Sequence, residues 1–450
     1  QWLLHSDLHW TQGEKLQLLE VPVAQDAQQL PMVLFQRIAA RGSIPASAAQ
    51  EACRAAGLEP RVGQAGVEDD DERQLGAALP HSQRLLLSSS GARQFEFHPS
   101  RAGIMLTGRK DGVIAVFDHE ADTQTHVLEV DSYPILGLSW LHTQPQWAVV
   151  GASQSGTTCV VRHDERKPGC MKHVKLEPFP HLSSLSVNCT DDYFMTSGFC
   201  VDLGLYDIVT GRRLSTFRGL HQNFINILRF AHRSPHVFAT ASFDHTCKVW
   251  DLREPINAGQ PVRFFNTDTL NVMCCFSPDD QKILCSGVDK ALQQFSLGTD
   301  HDTTGSRFPL PPTYSDTNYR RSLYFGDGAL VATAATNESL LRVYTSEGPH
   351  RHIGHVDFHG VLQRRRRGCR QGLRTAWPGT MQTPSEAEAD EVIGTGSANP
   401  GTEYIQSLRA HPSDPLLLGA LLSTSDPHPE SYITTMRLGG APGRVLRTST

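Results

Sequence analysis

Short apolar runs separated by polar turns follow one another along most of the chain, and residues 237–253 show the pattern most clearly. Their sequence is VFATASFDHTCKVWDLR: an apolar run, a tight polar turn at residues 243–246, and a second run that ends at Trp250. Apolar runs of about four to eight residues, rich in β-branched and aromatic side chains and bounded by turn residues, are typical of β-strands. This segment therefore predicts a β-hairpin.

The end of that hairpin recurs at a nearly constant distance along the chain. A large or apolar residue closes a similar run at six positions, with spacings of 44, 45, 44, 45 and 49 residues: Phe117, Val161, Tyr206, Trp250, Phe295 and Tyr344. A repeat of roughly 40–45 residues is the length of a four-stranded blade of a β-propeller. The period predicts consecutive blades, with these six anchor residues in equivalent places.

Two further marks keep the same phase as the anchors. About twenty residues before an anchor comes an aromatic residue followed by a turn: Phe97, Trp140, Phe230, Phe276 and Phe325. Six residues before an anchor comes an acid, at Asp111, Asp244, Asp289 and Glu338. The first mark predicts the turn between strands one and two of a blade. The second predicts the turn between strands two and three, where a carboxylate can accept hydrogen bonds and hold the turn.

The end of the chain predicts a seventh blade that needs a strand from elsewhere. Residues 404–422 and 431–438 predict three strands, and residues 82–88, which precede the first blade, can supply the fourth. Closing the ring in this way removes free sheet edges. The expected fold is all-β, a seven-bladed β-propeller over residues 81–440, followed by a tail at residues 441–450.

Two segments fall outside the period. Residues 1–80 form a separate N-terminal segment, in which helical spacing at residues 31–41 and 47–56 predicts a short helix pair and the acidic run at 68–72 predicts a solvated linker. Residues 346–402 are rich in Gly, Pro, Ser and Arg. They predict a long, basic, flexible insertion in the propeller, because loops of this length inside a domain are either functional or disordered.

The residues around Trp250-Asp251 resemble the WD-repeat family. In that family a buried tetrad of His, Ser or Thr, Asp and Trp is linked by hydrogen bonds, and the resemblance implies the set His221, Thr240, Asp244 and Trp250. Leu220 departs from the family pattern, which usually has Gly there. Other blades keep less of the tetrad, since the first has Phe117 in place of Trp. The resemblance covers about Gln83 to Leu438. It supports the propeller architecture as a whole more strongly than it supports the assignment of any single blade.

The ending Trp250-Asp251-Leu252-Arg253 resembles the WD-x-Arg ending of the DWD box, although Cys247 stands where that box prefers a larger apolar residue. Proteins with this box are substrate receptors of cullin–RING ubiquitin ligases that dock on a damage-binding adaptor. The resemblance implies a protein-binding scaffold with Trp250, Asp251 and Arg253 as adaptor-binding residues and Arg253 making charge-assisted hydrogen bonds. The alternative is an ordinary WD repeat in which Arg253 is a solvated strand end.

A second function class rests on the basic insertion. Its arginine run comprises Arg364, Arg365, Arg366 and Arg367, which is either a solvated loop or a nuclear-import or phosphate-binding patch. The chain also loosely resembles the DNA-damage-binding receptor of the same ligase family, which implies an alternative role as a nucleic-acid-associated propeller. A net charge of −6 argues against binding through bulk electrostatics.

Other chemistry is not supported by the sequence. No nucleophile elbow, metalloprotease or phosphate-loop motif occurs, so neither catalysis nor a cofactor is expected. His350, His352, His355 and His359 lie close in sequence, but without a cysteine pair they favour a polar loop over a zinc site. No apolar run is long enough to span a membrane, and no secretory leader opens the chain. The scattered cysteines indicate a reducing compartment, and we expect a nuclear location, with the cytoplasm as the alternative.

Overall fold

The computed structural model describes residues 79, 81–164, 167, 169–256, 260–298, 305–362, 403–424 and 430–439. Within them, 28 strands form seven four-stranded antiparallel sheets. The predicted all-β, seven-bladed propeller is thereby confirmed. The predicted N-terminal helix pair, acidic linker and C-terminal tail lie outside the described residues. No helix in the described part of the chain has the length and apolar character to cross a membrane.

The chain enters the propeller at β1 (His81–Leu86), which a 3-10 helix (Leu87–Ser89) joins to the first blade. Blades 1 to 3 consist of β2 (Ala92–Phe97), β3 (Ile104–Arg109), β4 (Val113–Asp118), β5 (Thr123–Glu129), β6 (Ile135–Trp140), β7 (Trp147–Ala152), β8 (Thr158–His163), β9 (Met171–Lys175), β10 (Leu182–Val187), β11 (Tyr193–Gly198), β12 (Leu203–Asp207) and β13 (Arg213–Phe217). Each blade is therefore a meander of four strands that follow one another in the sequence.

Blades 4 to 6 repeat that order, and blade 7 completes it with β1. These blades consist of β14 (Ile225–Phe230), β15 (Val237–Ser242), β16 (Thr246–Asp251), β17 (Arg263–Asn266), β18 (Met273–Phe276), β19 (Lys282–Ser286), β20 (Leu292–Ser296), β21 (Ser306–Arg307), β22 (Arg320–Phe325), β23 (Leu330–Ala335), β24 (Leu340–Thr345), β25 (His352–Asp357), β26 (Glu403–Ala410), β27 (Leu417–Thr424) and β28 (Ser431–Leu438). The first strands of neighbouring blades pack in a closed ring, since β2 contacts both β6 and β26.

The core lies between the blades rather than at one centre. Every residue of β15 and of β23 is buried, because a middle strand has a neighbouring blade on each face and is apolar on both sides. The outer strand β5 is instead exposed at four of its seven positions, and His126 is its one buried residue. All six anchor residues are buried in the third strands of their blades, as predicted.

The ring closes through pairing of the first and last strands. Strand β1 pairs antiparallel with β28, from His81 opposite Leu438 to Leu86 opposite Ile433. The segment predicted as a strand, residues 82–88, thus supplies the fourth strand of blade 7, although the strand ends at Leu86 and residues 87–89 form the 3-10 helix. Leu86 is fully buried.

The predicted insertion begins later than the sequence suggests. Residues 352–357 form the outer strand β25 of blade 6, paired with β24 except at Ile353, where the register shifts, so the predicted start at residue 346 is wrong. Its two large apolar residues, Ile353 and Val356, are three positions apart, so the period-two signal of a strand is weak. The Gly, Pro and Arg content of the residues that follow obscures it. Residues 363–402 lie outside the described residues.

Antiparallel order gives the propeller two chemically different faces. Turns between strands one and two emerge on one side together with the ends of the third strands. We call this the lower face, defined by residues 98–103, 141–146, 188–192, 231–236, 252–256, 277–281, 326–329 and 411–416. The opposite, upper face carries the turns between strands two and three and the loops between blades, defined by residues 110–112, 131–134, 153–157, 177–181, 199–202, 219–224, 243–245, 287–291 and 308–319.

Candidate docking site on the fourth blade

Four side chains of the fourth blade form a continuous hydrogen-bonded chain. The indole Nε1 of Trp250 donates to the Thr240 hydroxyl at 2.9 Å, and that hydroxyl oxygen lies 2.7 Å from Nε2 of His221. On the other side of the ring, Nδ1 of His221 lies 2.9 Å from the Asp244 carboxylate. The structure therefore brings together all four residues of the predicted tetrad.

Donor and acceptor capacity fixes the direction of this chain. An indole N–H can only donate, so the Thr240 oxygen accepts from Trp250. The ionised Asp244 carboxylate can only accept, which assigns the ring proton to Nδ1 of His221; Nε2 of the neutral ring then accepts from the Thr240 hydroxyl. Burial lowers the pKa of His221, and the Asp244 carboxylate offsets this only in part. The neutral ring that the chain requires is therefore the favoured form.

The carboxylate at the end of this hydrogen-bonded series, that of Asp244, has a defined charge state. Burial raises the pKa of Asp244, but the hydrogen bonds from His221 and Thr246 outweigh it and hold the pKa well below its ordinary range. Asp244 therefore stays ionised, and it ties the upper-face turn of blade 4 to the loop that enters the blade. This is the role predicted for the acid that precedes each anchor.

The first two blades, which have no tryptophan at the anchor position, do not form this series of hydrogen bonds. In blade 1, where the anchor is Phe117, the Thr107 hydroxyl instead donates to the Ala115 carbonyl at 3.2 Å. In blade 2, Ser155 donates to the Asp131 carboxylate at 2.8 Å. These blades keep apolar packing at the anchor position, while their polar groups find local partners.

Arg253 lies on the lower face, two residues beyond the end of the third strand of blade 4. Its Nε and Nη2 both donate to the Asp251 carboxylate, at 2.9 and 2.5 Å. The Arg253 side chain is 30% exposed and that of Asp251 is 6% exposed. The hydrogen bonds to Asp251 also raise the pKa of Arg253. The guanidinium plane is thus fixed, and Nη1 is the nitrogen that no described hydrogen bond uses.

The three residues predicted to bind an adaptor are not equally placed for contact. Trp250 is 1% exposed and lies in the core between blades, so it cannot touch a partner directly. Arg253 is the exposed side chain of the motif, and the buried Asp251 carboxylate holds it in place. Their mutual ion pair was not predicted from the sequence, although an acid and a basic residue two positions apart at a strand end give a signal for it.

The histidine segment and the arginine run are the two other candidate sites from the sequence. Nε2 of His350 lies 2.7 Å from the Ser306 hydroxyl, and its ring stacks on Phe308 at 3.8 Å. His352 and His355 belong to β25, so this segment is largely a strand and not the predicted polar loop. Among the residues that the structure describes, no group of three or more His, Cys, Asp or Glu could hold a metal ion. The arginine run at residues 364–367 lies outside them.

Comparison with known families agrees with this geometry. Residues 211–251 match the family described as "WD domain, G-beta repeat", and this range ends at Asp251 and contains the whole tetrad. The match lies in the one blade with a complete tetrad, within a ring of seven four-stranded blades. The chain is a seven-bladed β-propeller that carries a WD repeat in its fourth blade.

Two curated relatives resemble parts of the WD-repeat propeller. Over 262 residues, 56% of the chain, it is 33% identical to the protein DWD HYPERSENSITIVE TO UV-B 1 of Arabidopsis thaliana. Over 116 residues, 23% of the chain, it is 24% identical to the DNA damage-binding protein CMR1 of Vanderwaltozyma polyspora. These matches cover 33% of the first protein and 22% of the second. The chain thus spans about a third or less of the length of these relatives.

Removing the shared hydroxyl of the tetrad is expected to destabilise the propeller. Thr240→Val keeps the shape but leaves the Trp250 indole without an acceptor and His221 without a donor, which costs about 1–3 kcal/mol of unfolding free energy. Urea unfolding followed by tryptophan fluorescence measures this. Thr123→Val, at an exposed position of β5, is the control and should stay within about 0.5 kcal/mol of the wild type. Equal stabilities of the two variants would contradict the tetrad's role.

The WD-repeat propeller is also expected to lose stability in mild acid. Burial lowers the pKa of His119, His221, His350 and His352 from the ordinary 6.5. Below pH 6.5 the unfolded chain therefore binds more protons than the folded one, so stability present above this pH is lost as the pH falls.

One histidine provides an internal check on the sign of this effect. The hydrogen bond to Asp191 raises the pKa of His142, so its contribution is present below pH 6.5 and is lost as the pH rises. His142→Gln should steepen the fall in stability between about pH 7 and pH 5.5. Urea midpoints measured across this range test both statements, and a stability independent of pH would contradict them.

Proposed function

We propose that this WD-repeat propeller is a substrate receptor of a cullin–RING ubiquitin ligase that docks on the damage-binding adaptor through its lower face. The observation that carries the proposal is the Asp251–Arg253 pair, which ends the WD-x-Arg motif. The coarser role, a protein-binding propeller, has the family match and both relatives as support. WD-repeat scaffolds of this kind are typically not enzymes.

The geometry of the pair suits docking for a physical reason. A guanidinium held by two hydrogen bonds from Nε and Nη2 has already lost most of its rotational freedom, so a partner does not have to restrict it further. Its free Nη1 can donate to a carbonyl or carboxylate of the adaptor, and charge-assisted bonds of this kind are stronger than neutral ones. The name of the Arabidopsis relative refers to DWD, the box that the motif resembles.

The substitution Arg253→Ala is expected to weaken adaptor binding strongly. Loss of one partner of a desolvated charge pair costs roughly 2–5 kcal/mol, which is at least about thirtyfold in Kd. Biolayer interferometry with the purified adaptor and the full chain measures this.

The chain offers a matched control on the opposite face. Arg109 makes the same two-point contact with an acid two positions away, Asp111, through Nε and Nη2 at 3.1 and 2.6 Å. Arg109→Ala should leave adaptor binding unchanged. Equal Kd values for all three proteins, or no binding by the wild type, would overturn the receptor proposal and leave a scaffold for other partners.

A second candidate function is association with nucleic acid. It is favoured by the similarity to a protein named for binding damaged DNA and by the run of four arginines at residues 364–367. Replacing all four with glutamine should lower DNA affinity and reduce the slope of log affinity against log salt by about 0.9 for each phosphate that is no longer neutralised. A wild-type affinity that does not change with salt would reject this function. A nuclear location remains part of both proposals, and imaging of the tagged chain with and without the run tests it.

A further inference from the structure

The first strands of the blades line the central channel, and arginines are frequent there. Arg93, Arg229, Arg321 and Arg409 lie in the first strands of blades 1, 4, 6 and 7, and each is only partly exposed. Blades 1 and 6 are separated by blade 7, yet the charge of Arg93 lowers the pKa of Arg321 after the larger effect of burial. The two guanidinium groups are therefore near enough for one charge to act on the other.

Two of these arginines make hydrogen bonds or an ion pair with protein groups. Arg409 lies 3.6 Å from the Glu96 carboxylate through Nε, and its Nη1 donates to the Leu408 carbonyl at 2.8 Å. Arg229 donates from Nη1 to the Leu185 carbonyl at 3.2 Å. Their hydrogen bonds hold them against the channel wall.

Arg93 and Arg321 lack such contacts with the described residues. Nη1 of each is buried without a hydrogen-bond partner, and no carboxylate among the described residues forms an ion pair with either. A buried charge without a partner is costly, because neither water nor protein replaces its lost hydration. Lys110, on the adjacent upper-face turn, adds a further positive charge near Arg93. Burial and then the charge of Arg93 lower the pKa of Lys110. The channel therefore holds an excess of positive charge in a chain of net charge −6.

A pocket gives access to this charge from the upper face. Its volume is about 210 Å³, and Arg93 forms part of its wall together with Leu136, Gln154, His181 and Phe199. Gln154 belongs to the turn between strands two and three of blade 2, and His181 to the loop between blades 2 and 3. A small ligand can therefore reach Arg93 without opening the ring.

We propose that the upper mouth of the channel is a binding site for a small phosphate-type anion, held by Arg93 in the wall of this pocket, with Arg321 and Lys110 adding positive charge. Guanidinium groups present paired N–H donors that match phosphate oxygens. A multiply charged anion neutralises several cations at once, which a single carboxylate cannot do. The site lies on the face opposite Arg253, so it is independent of the proposed docking on the adaptor.

The test measures binding of sodium pyrophosphate and of glycerol 3-phosphate to the full chain by calorimetry, with ionic strength held constant by chloride. The double variant Arg93→Gln/Arg321→Gln should bind at least about tenfold more weakly than the wild type, since it loses the paired donors of Arg93 and two positive charges. Arg212→Gln/Arg233→Gln removes the same charge at exposed lower-face positions and should bind like the wild type. The tighter of the two anions separates an inorganic phosphate from a phosphate ester.

Stability measurements keep the proposal falsifiable if the double variant folds poorly. Pyrophosphate should raise the melting temperature of the wild type and of the lower-face variant, because it binds the folded state alone. The single variant Arg93→Lys keeps the charge but loses the paired donors, so it should gain less. Absence of pyrophosphate binding by the wild type, or equal gains in all variants, would overturn the site.

Discussion

Replacing Glu338 with alanine is expected to destabilise the propeller by roughly 3–5 kcal/mol. Glu338 lies between two buried guanidinium groups: Oε1 accepts from Nη2 of Arg320 at 2.9 Å, and Oε2 accepts from Nη1 of Arg342. The Arg320 side chain is 0% exposed and that of Arg342 is 9% exposed. The alanine variant would leave both positive charges buried without a counter-charge.

The electrostatic state of Glu338 agrees with this expectation. Burial raises the pKa of the carboxyl, but the charges of Arg320 and Arg342 outweigh it, so the pKa is lowered and the group is ionised. Asn318 adds a hydrogen bond to Oε1 at 3.1 Å. Glu338 occupies the place in blade 6 that Asp244 has in blade 4, with guanidinium groups in place of imidazole.

Urea unfolding of the Glu338→Ala variant measures the effect, and the same blade provides a control. Glu347 pairs with Lys282 at 2.6 Å, but both side chains are partly exposed, at 26% and 18%. Exposed pairs contribute about 0–1 kcal/mol, so Glu347→Ala should have a small effect. Similar losses of unfolding free energy for the two variants would show that the buried Glu338 cluster stabilises the propeller no more than a partly exposed ion pair does.

Placing a charge in the closing strand is expected to have an equally large effect. Leu86 is fully buried in a cluster with Phe95, Phe117 and Ile433. Leu86→Asp removes this apolar packing, at a cost of about 2–5 kcal/mol for a large-to-small change, and buries a carboxylate without a partner. The pairing of β1 with β28 should be lost, and blade 7 should open.

Hydrogen exchange of the β28 amides measures the opening. Ser82→Asp adds the same charge to an exposed position of the same strand and should keep wild-type protection, with a stability change within about 0.5 kcal/mol. Protected β28 amides in the Leu86→Asp variant would show that the propeller does not depend on this closure.

The repeat made the architecture predictable because each blade solves the same packing problem. An anchor in every third strand must be large and apolar to fill the space between blades, so Phe117, Trp250 and Tyr344 recur in phase. Closure by β1 was predictable for a related reason, since blade 7 has too few strands of its own. The strand β25 was missed because its signal is only a few residues long.

Less of the candidate site than of the fold could be predicted from the sequence. The tetrad could be located through the resemblance of the residues around Trp250-Asp251 to the WD-repeat family. The Asp251–Arg253 pair and the Glu338 cluster depend on side-chain directions that spacing does not give. The channel arginines come from first strands separated by whole blades, so only the closed ring brings Arg93 and Arg321 together.

The central claim, that this propeller binds a protein partner through its lower face, is tested most directly by hydrogen–deuterium exchange of the full chain with and without the purified damage-binding adaptor. The account predicts slower exchange at residues 252–256 and at the neighbouring lower-face turn 231–236, with unchanged exchange at the upper-face turn 243–245. Protection confined to the upper face, or no change anywhere at saturating adaptor, would contradict the account.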